Sequence, residues 1–146
     1  MACATCINNC CVRPCVEELL CALDCCGCCH VPILLAANVD YVAGTILGQR
    51  VSDLRFAAFD PLATDGTQLP RGILQYHVQT NDQGDVINRY FGFLGLGLDC
   101  GPKYTNMYVC GIFRLQDIVG DVASAAASGW LRLIDGNPGG SGLVRI

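Results

Sequence analysis

The reactive chemistry of this chain is sulfur. Ten of its twelve cysteines fall within the first twenty-nine residues: Cys3, Cys6, Cys10, Cys11, Cys15, Cys21, Cys25, Cys26, Cys28 and Cys29. Cysteines at this density either oxidise in pairs to disulfides or bind zinc as thiolates. Two Cys-x-x-x-Cys pairs, Cys6 with Cys10 and Cys21 with Cys25, have the spacing that a stapled helical hairpin needs, although spacing does not fix connectivity. Disulfides are the preferred reading. An arm of this size has too little core to hold a fixed shape alone, and each staple contributes typically ~2–4 kcal/mol. The adjacent pairs 10–11, 25–26 and 28–29 point the same way. Neighbours rarely both bond to one partner strand, so one of each pair is available to reach outward, even to another chain.

Zinc is the alternative. Cys3-x-x-Cys6 and the run Cys25-Cys26-Gly27-Cys28-Cys29-His30 contain zinc-knuckle-like spacings, but ten cysteines generate several such spacings by chance. An iron–sulfur cluster is disfavoured, because no Cys-x-x-Cys-x-x-Cys run occurs. Buried free thiols are the least expected outcome at this density. Cys100 and Cys110 flank the Gly101-Pro102 turn; they either close a loop as a disulfide or stay a pair of buried thiols. No cofactor is expected beyond the zinc alternative.

The elements that must position the arm cysteines are legible. Pro14 can open a helix, Glu17 and Glu18 complement its dipole, and Gly27 can stop it. Val16, Leu19, Leu20 and Leu23 form one apolar stripe, with Cys21 and Cys25 nearly opposite and Cys15 and Cys26 at its edge. Residues 1–30 are therefore read as a cysteine-rich arm and residues 31–146 as a globular body, long enough to bury its own core.

Composition narrows the class of function. The chain is 52% hydrophobic, 15% charged and carries a formal net charge of −4; Lys103 is the sole lysine. A nucleic-acid partner would require clustered Lys and Arg. Low charge favours a protein packed against neighbours. The start, Met1-Ala-Cys-Ala-Thr-Cys6, lacks a basic region followed by an apolar run, so synthesis in a cytosol is expected. The apolar stretch Val31–Ala37 is too short to span a bilayer, and no membrane partner is expected.

The body reads as mainly β, a β-rich α+β fold. Strands are expected at Val31–Leu35, Ile46–Val51, Phe56–Phe59, Gly72–Thr80, Val86–Leu98 and Tyr104–Phe113. Asp60-Pro61, Asp65-Gly66 and Asn81–Asp85 mark turns between them. Leu115–Val119 and Asp121–Ser128 change to helical period, with Asp121 able to cap and Gly129 to stop. Trp130–Ile134 and Leu143–Ile146 are short closing strands around a Gly-rich loop. The whole is a small barrel-like β domain with one short helix in its C-terminal half.

Catalysis has little to build on. His30 and His77 are the only histidines, and no Ser-His-Asp order, phosphate loop or His-Glu-x-x-His motif is present. Gly92-x-x-Gly95-x-Gly97 does not precede a helix, as a dinucleotide site requires. Asp60, Asp65, Asp82 and Asp85 sit at turns, where aspartate serves backbone geometry.

An ordered set of phrases resembles the head-decoration, or capsid cement, proteins of tailed phages of the lambda-like family. They are Tyr41-Val-Ala-Gly-Thr-Ile-Leu-Gly48, Phe59-Asp60-Pro61, Thr64-Asp65-Gly66-Thr67, Pro70-Arg-Gly-Ile-Leu74, Gly111-Ile-Phe-Arg114 with Asp117, the Ala-rich helix, and Gly142-Leu-Val-Arg-Ile146. The resemblance covers roughly residues 31–146. It implies a β-rich subunit that sits as a homotrimer on the outer surface of an expanded icosahedral head. Its partners would be the major capsid protein and itself, and it would perform no catalysis. The chain would be assembled in the host cytoplasm and work in the virion, where disulfides persist despite cytosolic synthesis. The arm departs from the family, whose usual arm is polar and not cysteine-rich. The competing class is a zinc- or redox-active binding module on a β scaffold; a secreted cysteine-rich binding protein is a third, disfavoured by the missing signal.

Overall fold

The computed structural model describes residues 29–87, 104–134 and 142–146. The main sheet is antiparallel and five-stranded. Its order is β1 (Cys29–Leu34), β7 (Tyr104–Cys110), β5 (Pro70–Leu74), β3 (Ile46–Gln49) and β4 (Phe56–Ala58). A second sheet places β10 (Leu143–Arg145) between β8 (Ile112–Arg114) and β9 (Arg132–Leu133), and β2 (Asp40–Tyr41) pairs with β6 (Val78–Gln79). The helix α1 spans Val122–Ala127. Among the described residues the fold is the mainly β domain with one short helix in its C-terminal half that the sequence pattern predicts. It approaches a barrel without closing: the bridge Leu35–Phe56 brings the end of β1 to β4, and Ala36 N–H donates to Phe56 O at 2.8 Å.

Strand periodicity explains why the main sheet feeds two cores. Successive side chains point to opposite faces. Ile46, Ile73 and Tyr108 are register partners across β3, β5 and β7. They join Phe59, Phe113 and Val144 in one buried cluster, against the second sheet and α1. Their neighbours Leu47, Leu74 and Met107 join Ile33, Leu35 and Val78 in the other. A strand buried on both faces reads as an apolar run, and Ile46-Leu47 and Ile73-Leu74 are such runs.

Several expected elements are shorter or divided. The strand expected over Gly72–Thr80 is two strands in different sheets, separated at 75–77. The one expected over Tyr104–Phe113 divides at Gly111, whose φ of 139° turns the chain from the main sheet into the second. The helical period expected for Leu115–Val119 yields only a 3-10 turn at Leu115–Asp117. Val119 instead bridges Thr45, its N–H donating to Gly44 O at 2.8 Å and its O accepting from Ile46 N–H at 3.0 Å. Gly44 (φ 95°) allows that approach, because a Cβ there would strike the Asp117 carbonyl. Asp121 caps α1 as expected, its carboxylate accepting from Ser124 N–H at 3.0 Å. The arm helix, and all of the strand expected over Val86–Leu98 beyond Ile87, lie outside the described residues.

Candidate functional site

Of the cysteines, Cys3, Cys6, Cys10, Cys11, Cys15, Cys21, Cys25, Cys26, Cys28 and Cys100 lie outside the described residues. Cys29 opens β1 and Cys110 ends β7. The register sets them opposite each other, with an irregularity between Cys29 and His30. Cys110 is disulfide-bonded. Beside them the His30 ring meets Tyr108 edge-on, with centroids 6.1 Å apart. Among the described residues no three His, Cys, Asp or Glu side chains group as a metal site would require.

The more informative surface is made by two loops that sequence reasoning did not single out. The β3–β4 hairpin and the β4–β5 loop are joined by Val51 N–H, which donates to Asp65 O at 2.8 Å, and the β4–β5 loop is closed on itself by Asp60 N–H, which donates to Thr67 O at 3.1 Å. Each loop is fixed internally by a carboxylate. Asp53 accepts from Arg50 Nε and from Arg55 N–H, both at 3.1 Å. The Arg50 contact is the main reason its carboxyl lies below the usual range. Asp65 accepts from Thr67 Oγ1 at 2.6 Å and from Thr67 N–H at 3.0 Å. Those two bonds, the side-chain one first, lower its pKa likewise.

On these fixed loops the apolar side chains face outward. Leu62 is 89% exposed, Val51 73%, Leu54 64% and Leu69 52%. Leu54 also adopts φ 62°, a left-handed conformation that disfavours any residue with a Cβ by roughly 1–2 kcal/mol. Its N–H donates to Arg50 O at 3.0 Å and its O accepts from Gln49 Nε2 at 2.9 Å. Glycine or asparagine would meet the backbone demand more cheaply. The available signal was aliphatic residues inside stretches otherwise marked as turns by Asp, Pro and Gly.

A separate polar cluster ties β2 to β6. His77 Nε2 lies 2.6 Å from Asp40 Oδ1, and Gln79 Nε2 donates to Asp40 Oδ2 at 3.0 Å. These contacts, His77 foremost, lower the Asp40 pKa. His77 is a partly exposed histidine with a carboxylate partner. The turn aspartates Asp60 and Asp65 serve backbone geometry, Asp60 accepting from Leu62 N–H at 3.0 Å.

Fold and surface together define a small β-rich domain that presents aliphatic side chains on hydrogen-bonded loops. No helix among the described residues is long and apolar enough to cross a membrane. Comparison with protein-family models, with curated proteins and with solved structures finds no match to this chain.

Proposed function

We propose that the chain is a structural virion subunit, a capsid decoration protein that binds the outer surface of an expanded icosahedral head as a homotrimer and stabilises it. The observation that carries this reading is the pair of fixed loops with Val51, Leu54, Leu62 and Leu69 turned to solvent. Aliphatic side chains held outward on hydrogen-bonded loops suit contact with a partner protein, because little ordering entropy remains to be lost on binding. The shell supplies that partner in many copies, so modest contacts add up through avidity.

The family resemblance is the second support for this reading, and several of its phrases fall on defined elements of the fold. Tyr41–Gly48 forms β2 and β3 with the tight Gly44 turn. Phe59-Asp60-Pro61 and Asp65-Gly66-Thr67 make the fixed loop. Pro70–Leu74 is β5, and Gly111–Arg114 turns into β8. In this role the chain needs no catalytic residue and no cofactor.

The direct test is capture by expanded shells that lack the protein. Purified chain should co-sediment with them to saturation at a fixed ratio to the capsid subunit. Failure to co-sediment at any concentration would remove the decoration reading.

A further inference from the structure

We propose that Arg114, Arg132 and Arg145 form a carboxylate-binding face that takes the Asp82–Asp85 turn of a second copy of this chain. The register of the second sheet assembles the face. Val144 lies opposite Phe113 on β8 and Leu133 on β9, and these three pack in the core shared with the main sheet. Side chains one residue along each strand point the other way. Arg145 therefore lies outward with Arg132 directly opposite it, and Arg114, opposite Leu143, lies outward on the diagonal. All three arginines are exposed. Among the described residues no ion pair involves any of them.

Like charges directly opposite on a ladder repel, and diagonal neighbours remain within reach of long side chains. A face that carries this repulsion in the free chain gains most from a partner that brings carboxylates, which guanidinium groups bind through paired N–H donors. The three arginines belong to only nine basic residues, which leaves six against thirteen acidic ones in the rest of the chain. A second copy is thus an acidic partner.

The uncommitted carboxylates identify the contact. Asp40, Asp53, Asp60, Asp65 and Asp121 each accept a hydrogen bond within the fold. The Asp82–Asp85 turn is held without its carboxylates: Asn81 Oδ1 accepts from Gln83 N–H and Asp85 N–H, both at 2.9 Å, and Gly84 N–H donates to Asn81 O at 3.0 Å. The nearby Arg55 donates from Nη1 to Leu35 O at 2.9 Å and forms no ion pair with either aspartate. The turn lies between Val78 and Val86, which pack in the cluster on the other face of the main sheet. Turn and arginine face thus belong to layers on opposite sides of one chain, and their pairing joins copies head to tail. Such a heterologous contact closes into a ring when its rotation permits. Three copies would make the homotrimer of the proposed function, and the ring size rests on that reading.

The test is sedimentation velocity of the full chain without shells, in dilute salt and with reductant so that no disulfide joins copies. Association is expected, weakening steeply as salt rises toward about 1 M, where charges are screened beyond roughly 3 Å. Arg132→Glu with Arg145→Glu, or Asp82→Arg with Asp85→Arg, should each raise the dissociation constant at least about tenfold. The chain carrying all four substitutions should recover association. A parent chain that is monomeric at every concentration, association indifferent to salt, a reversed variant that associates like the parent, or a fourfold variant that stays monomeric would overturn the proposal. Should a reversed chain fail to fold by circular dichroism, Arg132→Gln with Arg145→Gln carries the same expectation. Monomers keep Val51, Leu54, Leu62 and Leu69 exposed. A chain that does not self-associate yet co-sediments with shells would therefore overturn this contact and leave the decoration reading standing.

Discussion

Leu54 is a residue whose side chain and backbone are at odds with its surroundings. It is exposed, apolar and held at positive φ. Leu54→Gly should raise stability by roughly 0.5–1 kcal/mol, relief of backbone strain outweighing the extra unfolded-state entropy of glycine. Urea denaturation of the isolated protein reads that change. The same variant should bind expanded shells several-fold more weakly; a stabilised variant that binds as well as the parent would show that the side chain makes no contact. The core gives the opposite case. Phe113 is fully buried among Tyr108, Val144 and Ile73, and Phe113→Ala should cost about 3–5 kcal/mol. Gly44→Ala should cost roughly 2–3 kcal/mol, combining strain at φ 95° with the Asp117 carbonyl in its path.

At the scale of elements, the β2–β6 pair makes a prediction in pH. The Asp40 carboxyl is lowered by His77 and Gln79. A depressed carboxyl adds stability above its unfolded value of about 3.9, and that contribution fades as pH falls through the lower folded value. Amide exchange in β2 and β6 should therefore accelerate in that acid window before the main sheet opens. Asp40→Asn should remove this step, and an unchanged profile would mean that the contact does not hold the pair.

The same scale shows what was readable in advance. Ile46-Leu47 and Ile73-Leu74 announced β3 and β5, and Asp121 announced the start of α1, because burial and capping are written in adjacent residues. The breaks at 75–77 and at Gly111 were not anticipated. An alternating strand looks the same whether it stays in one sheet or crosses to another, and Gly111 was the sole local sign. Leu115–Val119 misled for a related reason: Val119 pairs with the entry to β3, a long-range contact that outweighs helical period. Of the candidate site, the cysteines were conspicuous and the apolar loops were not, since exposure of Val51 or Leu62 is decided by what the fold leaves uncovered.

At the scale of the whole molecule, an apolar contact surface makes a distinct prediction for assembly. Leu62→Ser with Val51→Ser should weaken capture by shells while changing stability by less than about 0.5 kcal/mol per site, because neither side chain is buried. Capture should also depend little on salt, unlike binding steered by exposed charge. The proposed role as a decoration subunit of a virion is open to a single measurement. It is tested most directly by a denaturing gel of purified particles from the parent virus, run without reductant and quantified against the major capsid protein. A decoration subunit is expected at a copy number near that of the capsid subunit. Absence of the chain from the particle would contradict it.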